Sequence, residues 1–339
     1  MKALRIDNPR VVTVAEMEIP EPGTGEVLVR VKYVGFCGSD LNTYLGKNPM
    51  VTYPRIPGHE ISGVIGRTGE EVPEIFTTGD PVTVVPYTSC GECPSCRKGR
   101  SHACQFNQTM GVQRDGAMCE FIAVPWQKLL KAPGLGILEL ALVEPLTVGF
   151  HAIERGRVTG SDVVMVLGCG MIAAGAIIRS VIKGAKVIAV DIDDRKLQIA
   201  GELGADHLIN PRISDLHKAL AQYTGGSGPD VVVEAAGKPE TYREATEEVA
   251  FTGRIVCIGY TGTEVLLKTE HIVRKELDIM GSRNATPGDF EAVISFLEQG
   301  TFPVDRVITA TIRPEDAEET LKGWANDPGS TMKLMLDLT

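Results

Sequence analysis

Val163-Val-Met-Val-Leu-Gly-Cys-Gly-Met-Ile-Ala173 decides the fold: an apolar run of strand length opens into G-x-G-x-x-A. Gly168 permits a tight turn, and Gly170 lets the backbone approach a pyrophosphate. Ala173 is small enough for the following helix to pack on the strand. The helix start then presents unpaired N–H groups to the phosphates. Ile172 to Ile182 continues as an apolar helix ending near Gly184. The next strand, Lys186–Val190, ends in Asp191, twenty-one residues after Gly170, where a carboxylate accepts from ribose hydroxyls. Taken alone, G-x-G-x-x-A is also what a plain glycine turn looks like. Strand, helix and acid at these distances make it a dinucleotide site. Gly168, Gly170, Met171, Ile172, Asp191 and Arg195 are the expected cofactor contacts. Asp191, with Asp193 and Asp194 behind it, repels a 2′-phosphate and points to NAD over NADP. Arg195 is the one residue that argues the other way. Cys169, inside the loop, reads as a buried thiol.

Outward from this loop, the apolar runs Val163–Leu167, Val187–Val190, Val231–Val233 and Ile255–Ile258 alternate with helix-length segments. Continuous Val/Ile runs separated by helices signal a parallel sheet buried on both faces. Toward the N-terminus the texture differs. Residues 26–34 alternate apolar and polar, and short runs broken by Gly and Pro continue to about residue 130. That pattern predicts an antiparallel, turn-rich β domain, with the change of texture near Ala141. After residue 280, helices are expected at 289–299 and 314–324, with strands at 306–311 and 333–338.

Composition narrows the function. The 339 residues suit about two domains, and 43% hydrophobic with 23% charged residues excludes a mainly disordered chain. A net charge of −10 disfavours nucleic acid as a partner. The longest uncharged run, between Asp162 and Arg179, is sixteen residues broken by glycines, too short for a comfortable bilayer span. Met1 to Pro9 is charged from the start and lacks an apolar signal core, so a cytoplasmic protein is expected. There the eight cysteines are thiols or metal ligands.

Four of them, Cys90, Cys93, Cys96 and Cys104, lie within fifteen residues. Four thiolates so close together can close a tetrahedral zinc site with no open position, which makes it structural. A redox motif needs two thiols at a helix start, not four. A nucleic-acid-reading zinc module is disfavoured by the acidic charge.

Three further candidates are scattered: Cys37 in Gly35-Phe-Cys-Gly-Ser-Asp40, His59 in Gly58-His-Glu60, and Glu144 in Val143-Glu-Pro-Leu146. Alone, each is more often structural: a small buried thiol, a satisfied histidine, a surface acid. The whole chain, however, resembles the zinc-dependent medium-chain dehydrogenases, in their sorbitol and L-galactonate dehydrogenase-like branch. The resemblance is carried by CGSD, Gly58-His-Glu-Ile-Ser-Gly63 with Gly69 and Val72, the four-cysteine lobe, Glu144 to His151, and the nucleotide loop, in that family's order.

The resemblance implies a catalytic zinc on Cys37, His59 and Glu144, with Glu60 entering the coordination sphere transiently, and hence two zinc ions per chain. Asp40 would accept the other ring N–H of His59. It implies an α/β architecture: a Rossmann doubly wound cofactor domain, 148–279, inserted into a mainly antiparallel GroES-like catalytic domain, 1–147 and 280–339. Zinc would lower the pKa of the substrate hydroxyl, as it lowers that of water from 15.7 to about 7. Hydride would pass to C4 of the nicotinamide, and Ser39 would take the first proton. Relatives commonly carry a histidine three residues after that serine to pass the proton on; this chain has Asn42. Arg283 reads equally as a substrate or cofactor contact and as a surface arginine. A carboxylate ligand and few aromatics favour a polyol or sugar acid over a simple primary alcohol. Relatives are usually homodimers or homotetramers. The contrasting reading is a zinc-bearing, NAD-binding pseudo-enzyme, against which stands the intact ligand set.

Overall fold

The computed structural model describes residues 1–339, which fold as two compact units: Met1–Glu144 with Phe290–Thr339, and Pro145–Asp289. The chain therefore returns to the first unit later than residue 280. Strand Asp278–Gly281 pairs in parallel with Arg254–Cys257 and so belongs to the inserted unit.

The inserted unit is built on a six-stranded parallel sheet. Its order is His207–Ile209, Lys186–Val190, Val163–Leu167, Val231–Glu234, Arg254–Cys257, Asp278–Gly281. Numbered by chain order within the unit, this is 3-2-1-4-5-6, the Rossmann arrangement. The Val/Ile runs are buried because helices cover the sheet: Val164, Val187, Val231, Val232 and Val233 are fully enclosed. Gly168 turns the chain at φ +85°, and a Cβ there would press on Ala236 at 3.0 Å. Helix Met171–Ile182 follows at once.

The other unit carries a seven-stranded, mainly antiparallel sheet with a separate hairpin of Lys2–Asn8 and Val11–Glu16. Its central strand, Glu26–Phe36, pairs with Glu60–Thr68, with Phe121–Pro125 and with the C-terminal strand Lys333–Asp337. Val27, Val29, Val31 and Val34 of that strand anchor the core with Ile61, Ile65 and Leu336. This is the GroES-like half. Two local expectations shift. Val304–Val307 forms a helical turn, so the next strand is Ile308–Ile312, and Pro314–Asp316 is a 3₁₀ turn preceding helix Ala317–Asn326.

Candidate active site and metal centres

Strand Glu26–Phe36 delivers Cys37 to the start of helix Gly38–Tyr44, where the Asp40 carboxylate accepts the Cys37 backbone N–H at 2.9 Å. The paired strand opens with Glu60, directly opposite Gly35. A side chain at Gly35 would place its Cβ 1.9 Å from Glu60 Oε2, so the glycine makes room for that carboxylate. The ligand atoms of Cys37, His59 and Glu60 all lie within 4.8 Å of one another. Glu144 enters from the first turn of helix Val143–Arg155. It stands outside that group of three but close enough to act electrostatically on His59. His59 and Glu60 are 6% and 0% exposed, and Glu144 is 3%.

Such burial has electrostatic consequences. Burial opposes charging of His59, yet Cys37, Asp40 and Glu144 around it outweigh that and raise its pKa well above the usual value. Burial pushes the Glu144 carboxyl up to about 7, against the pull of His59 and with the push of Glu60. His59 Nδ1 and Ser39 Oγ are buried without a hydrogen-bond partner. A thiol, an imidazole and a carboxylate with their ligand atoms within 4.8 Å of one another are a donor set that suits zinc. Asp40 differs from expectation: its carboxylate receives Cys37 N at 2.9 Å and Gly58 N at 3.4 Å. It braces the two loops that carry Cys37 and His59, because burial leaves it nearest to their backbone donors.

The cysteine lobe is local. Cys90, Cys93, Cys96 and Cys104 bring their sulfurs within 4.8 Å of one another, with Cys90–Cys104 at 3.6 Å and Cys93–Cys104 at 3.8 Å. These separations are far beyond a disulfide's ~2.05 Å. Backbone N–H groups of Cys90, Cys93 and Phe106 point at the sulfurs. Backbone donors at Cys96 and Gln105 pull the Cys93 thiol down, while burial and the neighbouring sulfurs push Cys96 up, so the four thiols titrate as one group.

In the inserted unit, Asp191 closes the nucleotide loop: its carboxylate accepts Cys169 N at 2.6 Å and Asp193 N at 2.9 Å. A Cβ at Gly170 would face open space, leaving the backbone approachable. Met171 is the first, buried residue of the helix, and Ile172 is half-buried. Arg195 lies against Asp193, 2.9 Å from Nη2 to Oδ2. Arg283 is exposed, and Cys169 is buried as read.

Residues 23–134 match the alcohol dehydrogenase GroES-like domain, and residues 172–299 match the zinc-binding dehydrogenase domain. The L-galactonate-5-dehydrogenase of Escherichia coli (strain K12) is 33% identical over 310 residues, 91% of each chain. The chain belongs to the zinc-dependent medium-chain dehydrogenases. Among solved relatives of this dehydrogenase, the alcohol dehydrogenase rspB of E. coli CFT073, complexed with NADH, has TM-score 0.91 and 32% identity. It covers 100% of this chain and 99% of its own. A zinc-binding dehydrogenase of Sinorhizobium meliloti 1021 bound to NADP has TM-score 0.90 and 29% identity, over 99% and 98% of the two chains.

Two residues of the dehydrogenase site escape sequence reasoning. Lys333, on the C-terminal strand, places Nζ 2.6 Å from both Glu60 oxygens and 3.0 Å from the Phe36 carbonyl. Tyr87 donates its phenol hydrogen to Glu144 Oε1. A lysine opening a strand and a tyrosine beside a proline carry no motif; the pairing of distant strands brings Lys333 to Glu60, and the meeting of a helix start with the segment after strand Pro81–Val84 brings Tyr87 to Glu144.

Proposed function

We propose that this dehydrogenase oxidises a secondary alcohol within a polyol or sugar acid, using NAD+. The observation that carries the reading is the convergence of the half-buried Cys37 with the buried His59 and Glu60, with Glu144 beside them and Ser39 Oγ unpartnered. Cys37, His59, Glu144 and Glu60 would hold a zinc ion, and the four cysteines of the lobe a second, structural one. Zinc, when bound, supplies Lewis acidity at the substrate hydroxyl, and the nicotinamide supplies the hydride acceptor. The chain's own residues do the rest. Asp40 fixes the loops that bear Cys37 and His59. Ser39 Oγ would take the hydroxyl proton as it passes its own proton onward to water or another group, a relay open to a buried hydroxyl with no partner of its own.

The cofactor preference rests on charge. Asp191 is held rigidly by two backbone donors, and a 2′-phosphate carrying nearly two negative charges would meet it directly. Arg195 already pairs with Asp193, which lessens its reach for such a phosphate. The polar substrate is supported by the carboxylates around His59 and by the activity named for the L-galactonate relative. No helix is long and apolar enough to cross a membrane. A reducing, cytoplasmic setting suits the eight cysteines, five of which would bind zinc. Strand Asp278–Gly281 leaves one edge of its sheet open with Ile279 exposed, in keeping with a homodimer or homotetramer.

The test is a screen of polyols, aldonates and simple alcohols against NAD+ and NADP+, followed by nicotinamide absorbance. Turnover of a polyol or aldonate with at least tenfold higher kcat/KM for NAD+ is expected. Strong turnover of ethanol or benzyl alcohol alone, or an NADP+ preference, overturns it.

A further inference from the structure

Glu60 and Glu144, the two glutamates beside His59, each have their own partner, and the two partners differ in where they are anchored. Lys333 rises from a sheet strand. Tyr87 does not: it follows strand Pro81–Val84 and precedes Cys90, at the base of the cysteine lobe. The returning arm of the lobe grips the residues on either side of it. Met110 N donates to the Pro86 carbonyl at 3.0 Å, Thr88 N donates to Asn107 Oδ1 at 3.1 Å, and Gln108 N donates to Thr88 Oγ1 at 2.7 Å. Asn107 is itself buried, and its amide donates to Thr109 Oγ1 at 2.8 Å. The ring of Tyr87 is 5% exposed and meets Phe290 edge-on, with centroids 6.4 Å apart. Its hydroxyl reaches Glu144 Oε1.

We propose that Tyr87 is a positioning residue that couples the base of the cysteine lobe to Glu144. The proposal rests on the reading of Glu144 as part of the catalytic metal centre. The physical argument is short. A carboxylate in a metal site is oriented by the hydrogen bonds it receives, and removing such a partner typically costs about 10–100-fold in metal affinity or activity. A phenol clamped on both sides of its own backbone, with its ring packed edge-on, has little freedom to follow the carboxylate elsewhere. The lobe thus fixes one oxygen of Glu144 without touching the metal centre. An ordered lobe is then a requirement for a well-formed active site, and its structural role extends beyond its own loop.

The experiment uses the full-length, zinc-loaded protein. Tyr87→Phe keeps the ring and its packing and removes only the donor. We expect zinc to leave the buried site 10–100-fold more readily in chelator competition, while the lobe keeps its metal and the thermal midpoint stays near that of the parent. Cobalt substituted at the buried site should show a shifted absorption spectrum. Asn107→Ala, which loosens the grip on Thr88, should weaken zinc retention in the same direction and by less. The double variant should lose no more than Tyr87→Phe alone, because both changes act through one contact. Parental zinc retention and an unchanged cobalt spectrum in Tyr87→Phe overturn the proposal. Losses that multiply in the double variant overturn the link to the lobe. Failure of the underlying reading looks different: His59→Ala would then leave the stoichiometry and retention of zinc unchanged in the parent background.

Discussion

The two candidate metal centres are opposites in construction. The lobe gathers four sulfurs from fifteen residues of one loop, with Cys90 exposed. The other draws Cys37, His59, Glu60 and Glu144 from three separate segments; all but the half-buried Cys37 are buried, and the two glutamates are braced by residues from elsewhere in the fold. A short loop carries little closure entropy but has no core of its own, so metal binding there is folding free energy. The buried set is held by sheets and helices that exist for other reasons, so its geometry stands before any ion arrives. On the proposed reading, one centre would depend on its metal for shape and the other for chemistry.

Paired substitutions would break this contrast if it is wrong, and they carry the largest expected effects. His59→Ala should abolish turnover and release the buried zinc while leaving thermal unfolding near the parental midpoint. Cys104→Ser should release the other ion and lower the midpoint. A loss of only about 3 kcal/mol would move it by roughly 6–12 °C for units of this size. Metal analysis of freshly purified protein, with no chelator present, should find two zinc ions per chain in the parent and one in each variant. One ion or none in the parent, or the same loss of stability in both variants, removes the distinction.

The same contrast explains what could be read from the chain. The lobe and the nucleotide loop are legible because their chemistry is compressed into spacing: four cysteines in a row, or a strand, three small residues, a helix and an acid. The Rossmann sheet is legible because strands buried on both faces must be apolar throughout. The buried centre is not compressed. Cys37, His59 and Glu144 are unremarkable singly, and only the resemblance to a dehydrogenase family grouped them. Even that resemblance missed Lys333 and Tyr87, which lie 273 and 57 residues along the chain from the carboxylates they serve. It also assigned Asp40 to the imidazole, where the fold turns its carboxylate to backbone donors. Which strand neighbours which decides such contacts, and strand order is a property of the whole sheet.

Lys333 sharpens the contrast at the next level of effect. Its side chain is 4% exposed and that of Glu60 is fully buried, so each charge depends on the other. Breaking a buried pair by removing one partner costs about 3–5 kcal/mol, because the survivor is left uncompensated. Lys333→Met should therefore lower stability by about that amount in denaturant titration, with the slope against denaturant unchanged. Arg97→Ala in the lobe, by comparison, removes an exposed side chain and should move stability by about 0.5 kcal/mol or less. If the two variants are equally mild, Glu60 does not rely on its partner, and the buried centre is less tightly braced than its geometry implies.

The smallest expected effect concerns the proton's exit. Helix Gly38–Tyr44 places Ser39 and Asn42 three residues apart, on one face. Ser39 Oγ is buried without a partner, and Asn42 is half-buried, its carbonyl taken by Lys47 N at 2.8 Å. An amide can continue a hydrogen-bond chain but cannot take up and release a proton near neutral pH, whereas an imidazole with a pKa of about 6.5 can. On that reading the relay should end at a water or another group, and the pH profile of alcohol oxidation should lack a limb from a histidine at this point. Asn42→His supplies the missing base. General bases contribute about 10²–10⁴-fold where proton transfer limits the rate; with water already serving, we expect a gain of about threefold near neutral pH. The gain should fade below the imidazole pKa, where the ring is already protonated and accepts nothing. An unchanged kcat and pH profile in this variant, with a solvent isotope effect showing that proton transfer is partly rate-limiting, would mean that the proton leaves by a route that never passes residue 42.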